Sequence, residues 1–289
     1  MIYGPDIPLY LRLYLTLKSK FDIAISPCGA HTSLTDTMAV DDARKILDGI
    51  SKAQQITWID INGGEPFLFY DEILQILEYV NTIEYPNQKR IEGKVTTSAF
   101  WASDAQKTAR IIDGLKDKGA DRMDIRFDAL YNEYVPYERI KNAVITARQK
   151  GIVLQVISYI LYPSGDICSE KGPYTGEITN ETDRKTVELQ NMLAEFLPKR
   201  CIEWERAKLT LENKEVQKLL GERFNEAVLQ SQKAYSNYRD TNGKINTSIT
   251  AEVFPNGETI INGKRIGNSR EKEIDILLRD FLIESRLSF

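Results

Sequence analysis

Ile56-Thr57-Trp58-Ile59-Asp60-Ile61-Asn62-Gly63-Gly64-Glu65-Pro66 is the stretch that decides the fold. Its first half is an apolar, β-branched run with the composition of a strand. Its second half is a double-glycine turn. Tyr70 to Ile83 follows as a helix, with Ile73, Ile76, Leu77 and Val80 on one face. A strand that turns sharply into an amphipathic helix is half of a β-α-β unit.

The same alternation recurs on both sides. Leu13 to Leu17 reads as a strand and Asp41 to Lys52 as a helix with Ala43, Ile46, Leu47 and Ile50 inward. Ile91 to Thr97 is a further strand. Ser103 is placed to cap a helix running to Lys118, and Gly119 to end it. Arg122 to Asp128 reads as the next strand, Pro136 to Lys150 as a helix, and Ile152 to Leu161 as an apolar strand. Short connections imply parallel strands joined by right-handed crossovers. The expected fold is α/β, a partial (β/α)6 TIM-like barrel with any site built from loops at the strand C-termini. An open doubly wound sheet is the alternative.

The pattern changes beyond Pro163. The stretch to Arg184 is rich in Gly, Ser, Thr and Asp and reads as a long loop. Thr186 to Leu197 and Glu212 to Tyr235 read as helices, and Cys201 to Lys208 fits strand or helix equally. Pro255-Asn256-Gly257 makes a hairpin turn within Ile249 to Ile261, and Glu271 to Leu287 closes as a helix. The expected division is a barrel over 1–200 and a C-terminal helical and β-hairpin extension over 201–289.

The chain has 289 residues, enough to bury a full core, with 42% hydrophobic and 28% charged residues. Lys and Arg number 38 against 42 Asp and Glu, so there is no basic excess to track phosphates. Nucleic acid is not an expected partner. No stretch approaches the about 20 apolar residues of a membrane helix, and the opening residues lack signal-peptide organisation. Cys28, Cys168 and Cys201 are odd in number and widely spaced, which fits a reducing, cytoplasmic setting better than a disulfide framework.

Gly63-Gly64-Glu65-Pro66, between a strand and a helix, resembles the GGEP motif of radical S-adenosylmethionine (SAM) proteins. In that family, the backbone and the Glu hold the amino group of SAM. Thr96-Thr97-Ser98-Ala99-Phe100 is similar to the family's Thr-Asn-Gly turn. Asp124 to Leu130 resembles its Ser-x-Asp strand end, with Arg126 at the usual serine. Tyr134 to Ile140 is similar to the following helix. Phe254-Pro255-Asn256-Gly257 and Ile266-Gly267-Asn268 resemble a C-terminal segment of members with auxiliary clusters. The resemblance implies a cofactor-binding set of Gly63, Gly64, Glu65, Pro66, Thr97, Ser98, Arg126 and Asp128. Arg126, Asp128 and Glu65 are the candidate catalytic groups.

The departure from the family lies at its chemistry. Three cysteines in C-x-x-x-C-x-x-C hold its [4Fe–4S] cluster. If Cys28 is the third, Phe21 and Ile25 occupy the first two positions, and neither ligates iron. Pro27 also replaces a customary aromatic. The resemblance therefore implies SAM or a related adenosyl molecule as ligand, without the [4Fe–4S] cluster, in a pseudoenzyme-like protein. Such a protein serves as an accessory that binds SAM or substrate, or as an enzyme without radical chemistry. The alternatives are an active enzyme with unusual cluster ligation, drawing on His31 or Asp22, and a metal-dependent or carboxylate-based lyase on a TIM barrel. Lys18 is the nearest lysine to a strand end for Schiff-base chemistry. Expected partners are a small-molecule or peptide substrate and a partner protein.

Cys28 and His31 form a C-x-x-H pair suited to zinc or iron, with Asp36 or Asp22 as a further ligand. Asp60, Glu65, Asp124 and Asp128 stand at strand ends. They serve as acid–base or cation-binding carboxylates, or else join Arg126 or Arg122 in a buried ion network. Phe100, Trp101, Tyr131, Tyr134 and Tyr137 make an aromatic rim, suited to stacking a ligand or to plain packing.

Overall fold

The computed structural model describes residues 8–286, apart from 24, 27, 54–55, 86–88, 163–168, 173, 199–200, 208, 210–212 and 231–248. Pro27, Cys168 and the later part of the helix expected over 212–235 thus lie outside the described residues.

Strand β1, Leu9–Thr16, shows how the sequence sorts itself. Leu9, Leu11, Leu13 and Leu15 are all fully buried on one face, and Tyr10, Arg12, Tyr14 and Thr16 take the other, as a period of two requires. β2 (Ile56–Gly63), β3 (Glu92–Thr97), β4 (Ala120–Arg126) and β5 (Val153–Ile160) divide in the same way. Ile59, Ile61, Val95, Met123, Ile125, Leu154 and Val156 join the leucines of β1 in the main core cluster. Helices α1 (Val40–Ala53), α2 (Tyr70–Val80) and α3 (Ala105–Asp117) cover that apolar face. So do α4 (Ala129–Asn132), α5 (Tyr137–Gln149) and α6 (Glu181–Leu193). The opposite face carries Arg12, Asp60, Lys94, Asp124 and Gln155. Strands of a parallel sheet buried on both sides read as continuous apolar runs; these alternate because one face is polar.

Six strands in the order β1-β2-β3-β4-β5-β7 form a parallel centre, where β7 is Ile202–Arg206. β8, Ile249–Val253, adds on parallel beside β1. The order follows the chain with no reversal, so successive crossovers place the helices on one side, as in a barrel rather than a doubly wound sheet. The sheet stays open. β6 (Ser169–Lys171) pairs antiparallel with β7 at one end. At the other, β9 (Glu258–Ile261) and β10 (Lys264–Asn268) form an antiparallel ribbon on β8.

Several local expectations need correction. The cap of α3 is Asp104, whose carboxylate accepts from Lys107 N at 2.8 Å, rather than Ser103. The stretch expected as one loop beyond Pro163 contains β6, and α6 begins at Glu181, five residues before the expected Thr186, capped by Asn180. Cys201 to Lys208, left open between strand and helix, supplies β7. The helix expected from Glu212 breaks at Gly221, whose φ of +55° ends α7 (Lys214–Leu220) before a second helix over 224–230. Asn262-Gly263 makes a second hairpin, with φ +49° and +76° suiting a turn in which both residues are left-handed. The closing helix, Ile274–Arg286, packs beside α1. Among the described residues, no helix is long and apolar enough to cross a membrane.

Candidate functional site

The double-glycine turn lies at the C-terminal end of β2, against the end of β1. A Cβ on Gly63 would sit 2.3 Å from the Thr16 carbonyl oxygen, and one on Gly64 the same distance from that of Lys18. Only glycine permits this approach. Gly64 N donates to Thr16 O at 2.9 Å and Glu65 N to Lys18 O at 3.0 Å. The turn therefore clasps the chain leaving β1.

Glu65 is 1% exposed and caps the short 3-10 helix Pro66–Phe69. Oε1 accepts from Thr97 Oγ1 at 2.8 Å and from Phe67 N at 3.2 Å. Oε2 accepts from Ser98 N at 2.9 Å and from the Ser98 hydroxyl. A carboxylate has about four accepting positions, and all are used inside the fold. Burial pushes this carboxyl up, more than those bonds hold it down. Thr97 also accepts from the Trp101 indole at 3.1 Å, and Trp101 stacks on Phe67 with ring centroids 5.0 Å apart. The turn, the end of β3 and part of the aromatic rim thus form one hydrogen-bonded unit.

Residues 17–38 fold back above β1. Ser19 N donates to His31 O at 3.0 Å and His31 N to Leu17 O at 3.1 Å, closing the loop that holds Phe21, Ile25 and Cys28. Ile25 is 2% exposed, in a cluster with Leu130, Tyr159, Leu161, Val216, Leu220 and Phe224. Phe21 is half-buried, stacked on Tyr134 with centroids 5.1 Å apart and edge-on to Phe100 at 6.4 Å. Cys28 is partly buried, 3.8 Å from Ser26 Oγ. His31 points to the surface, with Nε2 3.2 Å from Asp22 and Nδ1 2.8 Å from Ser33 Oγ. Both ring nitrogens have partners, and among the described residues no group of three or more His, Cys, Asp or Glu could hold a metal ion.

Asp128 caps α4, accepting from Leu130 N at 2.9 Å and Tyr131 N at 3.1 Å, and reaches Tyr159 N on β5 at 3.4 Å. Burial, with Asp183 nearby, pushes its carboxyl up to about 6 against those backbone bonds. Arg126 projects from the last turn of β4 into the mouth of the partial barrel. Burial works against its charge, but Tyr159, Tyr131, Cys28 and Glu205 around it outweigh that and raise its pKa.

Below the mouth, the inner face holds a chain of charges that sequence reading placed only in part. Arg12 pairs with Asp60 at 2.9 Å and Glu252 at 3.1 Å, and Lys94 with Asp124 at 2.7 Å and Asp60 at 3.4 Å. Thr96 and Asn62 also donate to Asp60, at 2.9 and 3.1 Å. The cations of this network are Arg12 and Lys94, where Arg122 or Arg126 had been expected. The signal was present as a charged residue at an inward-facing position of each of β1, β3 and β8: Arg12, Lys94 and Glu252. Burial alone would push the Asp60 carboxyl up, but Lys94 and Arg12 hold it well below the usual range. Asp124 is pushed up by burial despite Lys94. These groups suit a structural network, with Arg126, Tyr131, Tyr159, Glu205 and Cys28 grouped above it at the mouth.

This architecture is similar to native anSMEcpe with bound AdoMet and Cp18Cys peptide, at a TM-score of 0.55 and 12% identity over 93% of this chain and 80% of that one. Native anSMEcpe with bound AdoMet gives 0.56 at the same identity and coverage. The fold is the partial barrel of radical SAM proteins. No protein-family model matches the sequence, and no curated protein matches it. Within the radical SAM fold, Phe21, Ile25 and Cys28 lie in the loop after the first strand, Gly63 to Pro66 after the second, and Arg126 to Asp128 after the fourth.

Proposed function

We propose that this chain is a cluster-free relative of the radical SAM proteins that binds SAM or another adenosyl ligand at the barrel mouth. It acts as an accessory binding protein or in a reaction without radical chemistry. The observation that carries the reading is the packing of Ile25. A [4Fe–4S] cluster needs three thiolates in that loop. Here one of the three positions is filled by a side chain sealed against Leu130, Tyr159 and the C-terminal helices, and another by Phe21 stacked on Tyr134. The donor set does not fit a cluster.

SAM fits better. Among the described residues, the buried Nε of the Arg126 guanidinium has no partner, and the aromatic side chains of Tyr131 and Tyr159 stand beside it. Glu65 is engaged within the fold, so recognition rests on the mouth residues and on the backbone of the glycine turn. That anSMEcpe, which shares this fold, is seen with bound AdoMet supports a ligand of this class.

Two measurements test the reading. Anaerobic reconstitution with iron and sulfide is expected to give no stable cluster chromophore; stoichiometric iron that disappears in Cys28→Ala would overturn it. Calorimetry with SAM, S-adenosylhomocysteine and methylthioadenosine is expected to show weak binding. No heat from any of the three at millimolar ligand would remove the adenosyl assignment.

A further inference from the structure

Arg126 and Glu205 lie on the inner face of the barrel mouth, on β4 and β7. The strand register sets Arg126 beside Ile157 and Glu205 beside Tyr159, so β5 separates the two charges. The guanidinium sits over the Tyr159 ring, 6.0 Å from its centroid, and the Tyr159 side chain hydrogen-bonds Glu205.

The two charges do not meet. Among the described residues, no ion pair reaches Arg126. Its hydrogen bond to Asn62 Oδ1 is long, at 3.4 Å, and its Nε is buried without a partner. Lower on the same face, Arg12 and Lys94 are each held by two carboxylates. The fold can therefore pair an inner-face cation, and at the mouth it does not. Tyr131, 8% exposed, also faces this point, within electrostatic reach of Arg126 and Cys28. Arg126 is half-buried, and a guanidinium partly withdrawn from water, with charge nearby but no direct ion pair, gains from a ligand that supplies the contact.

The pairing of opposite charges across β5 selects the chemistry. A simple anion would satisfy Arg126 and be repelled by Glu205, and a simple amine would do the reverse. A molecule that carries an anionic and a cationic group on one carbon satisfies both. We propose that Arg126 and Glu205 clamp the α-carboxylate and α-ammonium of an amino-acid head group, with the Tyr131 hydroxyl as a further donor to the carboxylate. Charge-assisted hydrogen bonds are the strong ones, and a guanidinium suits a carboxylate in particular. Burial pushes the Glu205 carboxyl up while Arg126 opposes it, so an arriving ammonium completes a half-compensated site. The interior of a peptide carries neither charge and is not selected.

The head group belongs either to a free amino acid or to the methionyl end of an adenosyl ligand. The inference rests on the barrel mouth being a small-molecule pocket, as proposed above. Calorimetry on the full chain distinguishes the sources, with each of the twenty amino acids, SAM and methylthioadenosine, which lacks the amino-acid end. We expect SAM or at least one amino acid to bind, and Arg126→Gln and Glu205→Gln each to weaken that binding about tenfold or more. The carboxamide of the bound amino acid, or of SAM, is expected to bind as weakly as wild-type ligand binds to Arg126→Gln. Methylthioadenosine carries neither charge and should lose far less affinity than the clamped ligand in both variants, while circular dichroism and urea denaturation show that they are folded. If SAM and methylthioadenosine bind equally and neither substitution matters, the clamp is overturned and the adenosyl reading stands. If an amino acid binds in a clamp-dependent manner and no adenosyl compound binds, the clamp stands and the adenosyl reading falls. If no amino acid and no SAM binds at millimolar concentration, the clamp is overturned.

Discussion

Phe21 stacks on Tyr134 with the ring planes 21° from parallel, which fastens the loop after β1 to the end of α4. With Ile25 buried beside Leu130 and Tyr159, that loop has an apolar anchor where the radical SAM resemblance would place inorganic ligands. Its order is then a property of packing.

The double substitution Phe21→Cys with Ile25→Cys removes both anchors. A loss of about 2–4 kcal/mol is expected, from the buried groups removed and the cavity left behind. Urea denaturation checks it. An unchanged midpoint would mean that these side chains do not hold the loop.

Glu65→Ala is expected to cost about 3 kcal/mol or more, with or without ligand, because it strands buried donors from Phe67, Thr97 and Ser98. A residue that only touched a ligand would change stability by less than about 0.5 kcal/mol. Chemical denaturation separates the two roles.

Asp128 gives a pH signature. Its carboxyl is raised from 3.8 to about 6 in the folded chain, so the folded state holds the proton more tightly than the unfolded state. Its contribution is complete below about pH 4 and declines as pH rises through 6, by about 3 kcal/mol in all. Asparagine caps a helix equally well. Asp128→Asn should therefore lack this decline, and its stability relative to wild type should improve from pH 4 to pH 7.5. Parallel curves for the two proteins would refute the assignment.

Asp60→Asn leaves Arg12 and Lys94 short of a shared carboxylate and is expected to cost about 3–5 kcal/mol. The Asp60 carboxyl is depressed in the folded chain. Its stabilisation is present above the unfolded value of about 4 and is lost as pH falls below that. The variant should lack this acid limb in denaturation midpoints taken from pH 5 to pH 2. Retention of the limb would assign it to other groups.

The barrel was legible because β1 to β4 each lead from a short apolar run into an amphipathic helix, as in Ile56 to Val80. Short strands paired late in the chain were less so. β7 became a strand because β5 offers it an edge, a fact of tertiary structure that Cys201 to Lys208 does not carry by itself. The Asn262-Gly263 turn was local and could have been read. At the site, the glycine motif was visible, but its partners were not. Sequence spacing does not reveal that Thr97 and Ser98 fill the Glu65 carboxylate, nor that Asp128 is spent on capping. Arg126 stood out by type, whereas Glu205 could be found only once β7 was placed beside β5.

β1 lies inside the sheet, between β2 and β8. β1 is therefore synthesised long before β8, the neighbour that covers its other edge. Until Ile249 to Val253 is synthesised, the β1 edge presents unpaired backbone groups and Arg12 lacks Glu252. An open strand edge is a template for pairing with other chains. Vectorial folding of this protein can assemble β1 to β5 early but cannot seal them. Nascent chains stalled short of Ile249 are the species most exposed to self-association.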